Sequence, residues 1–210
     1  KGSKVDVSVL RRDIPELIDI EIIRDKIPIK SIEASYMVTN DIGYIKINRF
    51  SMTTLDEFKE IVSEFKKRHI KDLIVDLTGN GGGYLEVAIK LADEFLDNNK
   101  LILYTQGTNS PKKEYYATRE GDFEKGNVVF LIDEGSASAS EILAGAIQDW
   151  DRGIIVGRRS YGKGLVQKPL LLPDQSMIRL TFLNSEAIKN TSAVKPTKQY
   201  QYIYIRFLTI

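Results

Sequence analysis

The sequence predicts an α/β fold: a mostly parallel sheet built from βα crossover units, preceded by a short N-terminal β segment. Short, continuously apolar runs alternate along the chain with segments of helical periodicity. Runs of that kind are typical of strands that are covered on both faces. Glycine- and serine-rich turns follow two of them, at points where a strand leads into a helix. Strands that alternate with helices favour parallel pairing through right-handed crossovers.

The first 35 residues stand apart from this alternation and predict two strands. Residues 1–12, KGSKVDVSVLRR, alternate valine with polar side chains, and residues 18–29, IDIEIIRDKIPI, have an alternation of their own. Such patterns indicate half-buried strands. Because a lone pair of strands is only marginally stable in water, we expect this segment to lie against the main domain or to belong to a larger unit.

From residue 36 onward the predicted elements alternate regularly. The helical segments place apolar residues at the three- and four-residue spacing of one buried face. Two segments, 168–174 and 176–183, predict a hairpin, and the stretch 105–126, rich in Gly, Asn, Pro, Lys and Tyr, predicts a mobile loop. The other strands are predicted at 44–50, 72–77, 101–104, 128–134 and 153–157, and the helices at 54–69, 84–97 and 138–149.

Composition argues against several classes of function. Thirty basic residues against 29 acidic ones leave a formal charge of +1, which gives no electrostatic footprint for nucleic acid or an anionic membrane surface. No apolar run reaches the roughly 18 residues of a membrane-spanning helix. The sequence has no cysteine, which suits an oxidising compartment. The single histidine, His69, is predicted to end a helix, where a cation complements the dipole, and this argues against a Ser-His dyad.

The predicted strand 72–77 runs into a glycine-rich turn, DLTGNGGGYL (76–85), that precedes a helix. Glycines there allow positive φ angles and close approach of a ligand to backbone N–H groups. A phosphate cradle is one interpretation, but the turn lacks the Lys-Ser/Thr of a P-loop and the G-x-G-x-x-G spacing. A plain tight turn and an anion hole for a transient oxyanion are the two other interpretations.

A second strand-to-helix junction carries the serines of GSASASE (135–141). Ser138 and Glu141 match a capping box, which is the simplest interpretation of this serine. A serine at a helix start is also well placed as a nucleophile, because the next backbone N–H and the helix dipole favour negative charge there. That second role requires a base near Ser138.

Lys163, which lies between two glycines in SYGKGLVQ (160–167), is the candidate base. The alternative is an ordinary solvated loop lysine. Ser160 and Lys163 also match the S-x-x-K motif of penicillin-recognising enzymes. That motif needs both residues on one helix, which the neighbouring glycines disfavour, and its companion motifs S-D-N and K-T-G are absent from the sequence.

The segment EGSASASEILAGAIQDWDRGIIVGRRSYGKGLVQ (134–167) closely resembles the active-site block of the tail-specific, or C-terminal processing, serine peptidases. Together with the glycine turn, the resemblance covers about residues 36–182. It implies a Ser-Lys dyad in which Ser138 is the nucleophile, Lys163 is the base and Gln167 supports the lysine. A lysine serves as a base only in its neutral form, which burial among apolar neighbours favours.

The same resemblance assigns an oxyanion hole to the glycine turn. In the family, one N–H of that turn and the N–H that follows the nucleophile bind the oxyanion. The corresponding positions are Gly82 or Gly83 in the turn and Ala139 after the serine. No metal and no organic cofactor is implied.

The family resemblance also implies a domain plan. The core is expected to be crotonase/ClpP-like and to span residues 36–210, although the tail 183–210 matches no family pattern. Residues 1–12 resemble the last strand of a peptide-binding PDZ domain, and residues 13–35 are expected to connect it to the core.

The implied function is that of a serine endopeptidase, a hydrolase that cleaves unfolded or C-terminally tagged proteins near their C-termini. Its partners are then protein and peptide substrates, and its location is periplasmic or otherwise exported. Two alternatives stay open: a catalytically silent peptide-binding relative and a crotonase-like acyl-CoA enzyme. The sequence gives neither the identity of the substrate nor the oligomeric state, with a homo-oligomer among the alternatives.

Overall fold

The computed structural model describes residues 1–25, 30–97, 99–107 and 110–186. The chain begins with an antiparallel ribbon of two strands, β1 (Lys4–Arg11) and β2 (Ile14–Ile23). Valines of β1 pair with isoleucines of β2, for example Val5 with Ile22. The two strands predicted from the alternation are therefore present, and they pair with each other. The assignment of residues 1–12 to a PDZ remnant and of 13–35 to a connecting segment stays a prediction.

The main domain alternates strands and helices as the sequence predicts, with element ends shifted by a few residues. Two strands, β3 (Ile32–Met37) and β7 (Ser110–Tyr116), were not predicted, and the expected domain boundary at residue 36 falls inside β3. Among the described residues, no helix is both long and apolar enough to cross a membrane. The elements are β3 (Ile32–Met37), β4 (Ile42–Ile47), α1 (Thr54–Lys67), β5 (Asp72–Asp76), α2 (Leu85–Asp93), β6 (Leu101–Gly107), β7 (Ser110–Tyr116), β8 (Asn127–Ile132), α3 (Ala139–Asp149), β9 (Ile154–Gly157), β10 (Leu165–Leu171) and β11 (Met177–Glu186).

The central sheet has the strand order β3-β4-β5-β8-β9. Its neighbours β4–β5, β5–β8 and β8–β9 are parallel, and only the edge pair β3–β4 is antiparallel. Strand β5 lies in the middle, where Leu73, Ile74 and Val75 are each no more than 3% exposed. Three consecutive buried side chains mean that both faces of the strand are covered. The predicted α/β class with a mostly parallel sheet is confirmed.

A second, antiparallel sheet has the order β10-β11-β6-β7. The predicted hairpin is confirmed by the pairing of β10 with β11. The stretch 105–126 was expected to be a mobile loop. This was wrong for residues 105–107, which belong to β6, and for residues 110–116, which form β7 and pair with β6. The sequence of β7, SPKKEYY, has no apolar alternation. Proline and lysine are tolerated because β7 is last in the order of its sheet, where one side of the strand needs no backbone partner.

The core between helices and sheet is centred on the ring of Phe95, just after α2. Its centroid lies 5.4 Å from that of Phe58 on α1, 5.4 Å from that of Phe130 on β8 and 6.3 Å from that of Phe123. All four rings are buried. Tilted and edge-to-face rings at these distances add to the stabilisation that burial provides. This cluster fixes α1 and α2 against the sheet. The loops at the carboxyl edge of the sheet remain available to form a site.

Candidate active site

Three loops meet at the carboxyl edge of the central sheet. Because β5, β8 and β9 are parallel neighbours, the segments 77–84, 133–138 and 158–164 leave from the same edge, where ligands bind in open α/β sheets. The Ala137 N–H donates to the Asn80 carbonyl oxygen at 3.0 Å, and a bond of the same length joins the Tyr161 N–H to the Ser136 carbonyl oxygen. The glycine turn, the serine junction and the lysine loop, far apart in sequence, therefore lie side by side.

Ser138 has a backbone conformation that is costly for a serine. It is the N-cap of α3, with φ 57° and ψ −111°. Positive φ is the region that glycine favours, and a non-glycine residue held there stores on the order of 1–3 kcal/mol of strain. Such strain persists only where the surrounding structure enforces it, and it is found at functional sites. A sharp turn from strand to helix also presents the serine hydroxyl at the end of the sheet, as in nucleophile elbows.

The capping box predicted for Ser138 and Glu141 is present. The Glu141 carboxylate accepts the Ser138 N–H at 2.7 Å. On the other side of the box the Ser138 side chain faces the Glu141 N–H, which also donates to the Ser138 carbonyl oxygen at 2.9 Å. A hydroxyl that accepts an N–H keeps its own proton to donate, so the predicted cap is confirmed and is compatible with a second role for Ser138.

The two neighbouring serines have structural hydroxyls. Ser136 donates from Oγ to the Leu77 carbonyl oxygen at 2.7 Å, and Ser140 donates from Oγ to the Asn80 carbonyl oxygen at 2.8 Å. Both side chains are fully buried, whereas Ser138 is partly exposed. Only Ser138 of these three combines an accessible hydroxyl with a strained backbone.

The glycine turn packs directly against the Ser138 turn. A Cβ built on Gly82 would lie 2.7 Å from the Ala137 carbonyl oxygen and 3.0 Å from the Ala139 nitrogen. The Gly82 N–H is already used, since it donates to Asn80 Oδ1 at 2.9 Å. Within the described part of the chain, the N–H groups of Gly83 and Ala139 donate to no acceptor. Of the two glycines expected to supply an oxyanion donor, the geometry therefore favours Gly83.

Asn80 fixes this arrangement from inside the turn. Its side chain is fully buried, donates to the Ile47 carbonyl oxygen at 2.7 Å and accepts the Gly82 N–H. Its backbone carbonyl accepts the Ala137 N–H and the Ser140 hydroxyl. One residue thus connects the end of β4, the glycine turn and the serine junction, and its buried polar atoms are paired as burial requires.

A charged network holds the start of the glycine turn. Tyr44 donates from its hydroxyl to Asp76 at 2.6 Å, the Thr78 N–H donates to Asp76 at 2.8 Å, and Lys46 Nζ lies 3.4 Å from the same carboxylate. Burial alone would raise the pKa of Asp76, but the hydrogen bonds from Tyr44 and Thr78 and the charge of Lys46 outweigh it and lower that pKa. Burial, with the bond to Asp76, raises the pKa of Tyr44. Asp76 is an anchoring carboxylate and Tyr44 stays neutral.

The glycine turn gives a prediction with a control inside the same turn. In Gly82→Ala, at φ 99°, the new Cβ would meet the Ala137 carbonyl oxygen, the Ser138 Cβ and the Ala139 nitrogen. A Cβ on Gly81 has nothing within 4 Å. We expect Gly82→Ala to lower kcat on the order of a hundredfold, because the oxyanion donors are displaced, and to change KM much less. Gly81→Ala should retain wild-type turnover. An unchanged kcat in folded Gly82→Ala would reduce the turn to a structural element.

Lys163 is partly buried and reaches the serine junction through its backbone. The Lys163 N–H donates to Glu141 Oε2 at 2.8 Å, and the same oxygen accepts the Ser138 N–H. The other oxygen, Glu141 Oε1, accepts the Gly162 N–H at 2.6 Å and the Ser160 hydroxyl at 2.7 Å. The structure thus places the loop of the predicted base next to the turn of the predicted nucleophile.

The remaining sequence candidates have separate outcomes. Gln167 lies on β10, paired with Thr181 on β11, and its side chain lies outside the described residues. Ser160 is not on a helix with Lys163, as the neighbouring glycines indicated, so the S-x-x-K motif is not formed. His69 follows the end of α1 and precedes the first residue of β5, so it lies at the edge of the sheet opposite the three loops.

Two residues of the site were missed or misjudged from the sequence. The sequence identified Asn80 only as part of the glycine turn, and it identified Glu141 only as a capping residue. The position of Asn80 between glycines could have identified it, because the backbone N–H groups of such a turn need an acceptor within the turn. Glu141 gave no further signal, because three of its partners lie 19 to 22 positions away.

The relatives described below are all named as C-terminal processing proteases. The chain is 36% identical over 181 residues to the carboxy-terminal processing protease CtpA of Bacillus subtilis (strain 168), covering 86% of this chain and 38% of that protein. It is 33% identical over 208 residues to CtpB of the same organism, covering 93% and 43%. Among solved structures, a photosystem II D1 C-terminal processing protease superposes with a TM-score of 0.73 at 25% identity, covering 95% of this chain and 56% of that one.

The chain therefore spans about two fifths of the length of these two curated relatives. The sequence profile described as Peptidase family S41 matches residues 41–197, and so includes all three loops of the site. The match also extends into the tail 183–210, for which the sequence had suggested no family pattern. With most of its length matched by this profile, and relatives above 30% identity over most of the chain, the protein belongs to peptidase family S41.

Proposed function

We propose that this protein is a serine endopeptidase that cleaves unfolded or C-terminally tagged proteins near their C-termini, with Ser138 as nucleophile and Lys163 as base. The observation that carries the proposal is the strained and partly exposed Ser138, whose side chain packs against Gly82 of the glycine turn. The names of the relatives, carboxy-terminal processing proteases, support the same activity.

In the first step, Ser138 Oγ forms a bond to the carbonyl carbon of the scissile peptide, and its proton passes to the neutral amine of Lys163. The carbonyl oxygen becomes an oxyanion, which the N–H groups of Gly83 and Ala139 stabilise. Both N–H groups lie near helix starts, Gly83 before α2 and Ala139 in α3, so the two helix dipoles add positive potential at the same point.

The tetrahedral intermediate then collapses. The C–N bond breaks, the leaving amine takes the proton from Lys163, and an acyl ester remains on Ser138. Water attacks this ester with Lys163 again as the base, which releases the acid product and restores the hydroxyl. Gln167, on the strand that follows the lysine loop, is the residue that we propose to orient the amine by a hydrogen bond without adding charge.

Further parts of the proposal rest on the family. A crotonase/ClpP-like core is supported by the successive βα units and by an oxyanion hole built from backbone N–H groups. A crotonase-like acyl-CoA enzyme would have no use for the strained Ser138, and a silent peptide-binding relative would have no need to keep its hydroxyl available.

Protein and peptide substrates are the partners, and an exported location is proposed because it suits both the relatives and the absence of cysteine.

The test is to combine hydrolysis of an unfolded protein with a serine-directed phosphonate probe. We expect cleavage, and we expect the probe to modify Ser138, with activity lost in proportion to the fraction modified. Mass mapping of the labelled peptide identifies the serine. Two substrates that differ only in their last residues then measure the preference for C-terminal sequence. Hydrolysis that continues after complete modification of Ser138 would contradict the proposal.

A further inference from the structure

Glu141 is a buried carboxylate with an unusual set of partners. It is 8% exposed, and its two oxygens accept hydrogen bonds from the N–H groups of Ser138, Gly162 and Lys163 and from the Ser160 hydroxyl, at 2.6–2.8 Å. All four donors are neutral groups. A buried carboxylate is tolerated only when its oxygens are satisfied in this way. Glu141 therefore uses its acceptor capacity to join two segments of backbone.

The two segments are those that carry the proposed nucleophile and base. Oε2 binds both the Ser138 N–H and the Lys163 N–H, so one oxygen atom spans the dyad at the level of the backbone. Oε1 accepts hydrogen bonds from Gly162 and Ser160 and so fixes the residues that precede the lysine. A capping role for Glu141 would require only the bond to Ser138. The three bonds to the lysine loop go beyond that role.

The chemistry of the site favours this arrangement over a direct ion pair. A carboxylate bound to the Lys163 ammonium would favour the charged form of the amine and oppose its use as a base. With its oxygens occupied by neutral donors, Glu141 fixes the lysine through its backbone. A misplacement of reacting groups by about 1 Å can cost a hundredfold in rate, so an anchor of this kind has kinetic value.

We propose that Glu141 is a positioning residue for the Ser-Lys dyad, which sets the Lys163 loop at its working distance from Ser138. The inference rests on the proposed function, because it assigns Glu141 its purpose through those two residues. In this role Glu141 does not contact the substrate. Loss of the carboxylate should therefore lower kcat and leave KM nearly unchanged.

The test uses Glu141→Gln, which keeps the shape of the side chain but replaces one acceptor oxygen by an NH₂ donor. We expect kcat to fall about a hundredfold when it is calculated for the fraction of enzyme that the phosphonate probe can label. KM should stay within about twofold of wild type. Ser160→Ala removes one of the four donors and should give a smaller loss in the same direction. Glu141→Asp, which keeps the charge but is one methylene shorter, should recover part of the kcat lost in Glu141→Gln.

The matched control is Glu134→Gln, the same change at an exposed glutamate of the loop that precedes α3, which pairs with Arg158. It should have wild-type kcat. Backbone amide hydrogen exchange at Gly162 and Lys163 provides a readout that is independent of activity. Both amides should be protected in the wild type and exchange faster in Glu141→Gln, while circular dichroism shows that the fold is retained.

An unchanged kcat per labelled serine in folded Glu141→Gln, or unprotected amides at 162 and 163 in the wild type, would overturn the positioning role. If the wild type does not hydrolyse peptides at all, the proposed function fails. Exchange at the two amides then decides separately whether Glu141 holds the lysine loop.

Discussion

Ser138→Ala is expected to abolish peptide hydrolysis while the fold is retained. The change removes one oxygen atom, and loss of the nucleophile in a serine protease costs on the order of a millionfold in kcat. A stability loss of about 1 kcal/mol should accompany the change, because Ser138 is the N-cap of α3 and its side chain belongs to the capping box. Turnover of an unfolded protein and thermal unfolding of the variant measure the two effects.

The same substitution at the neighbouring serines is the control. Ser136→Ala and Ser140→Ala each remove a buried hydroxyl that donates to a backbone carbonyl. Each should lose on the order of 1 kcal/mol of stability, because one buried hydrogen bond is lost while the carbonyl oxygen keeps a backbone N–H donor, and each should keep substantial turnover while folded. Near wild-type cleavage by Ser138→Ala, or a folded but inactive Ser136→Ala, would move the nucleophile away from Ser138.

Lys163→Arg is expected to be as inactive as Lys163→Ala. Arginine keeps the positive charge and roughly the length of lysine, but its guanidinium does not lose its proton in proteins. Loss of a general base typically costs a hundredfold to about ten-thousandfold in rate. Gln167→Ala should be milder than either lysine variant, since the amine remains and is only less well oriented.

The control for Lys163→Arg is Lys66→Arg, at a surface lysine whose ammonium pairs with Asp122 at 2.8 Å. That exchange keeps the ion pair and should leave kcat unchanged. Turnover of all four variants on one unfolded substrate makes the comparison. A surface lysine at position 163, or one that only attracts a substrate carboxylate, would tolerate arginine, so an active Lys163→Arg enzyme would refute the dyad.

Local patterns were sufficient for most of the fold. The apolar run 72–77 predicted the buried strand β5, and the spacing of apolar residues predicted α1, α2 and α3, because burial imposes a period on the side chains that face the core. The patterns failed where burial is weak. Strand β7, SPKKEYY, exists because β6 offers it backbone partners, and no local signal reports that pairing. β3 was missed because exposed and partly exposed side chains interrupt its pattern.

The sequence by itself determined which residues were candidates for the chemistry. Ser138, Lys163 and the glycine turn were identified from their residue types and spacing. The tertiary structure decided how they are arranged, because that depends on hydrogen bonds between segments far apart in the chain. Asn80 takes the Gly82 N–H, so of the two candidate glycines only Gly83 keeps an unpaired N–H within the described residues. Glu141 looked like a helix cap until folding brought the lysine loop to its carboxylate.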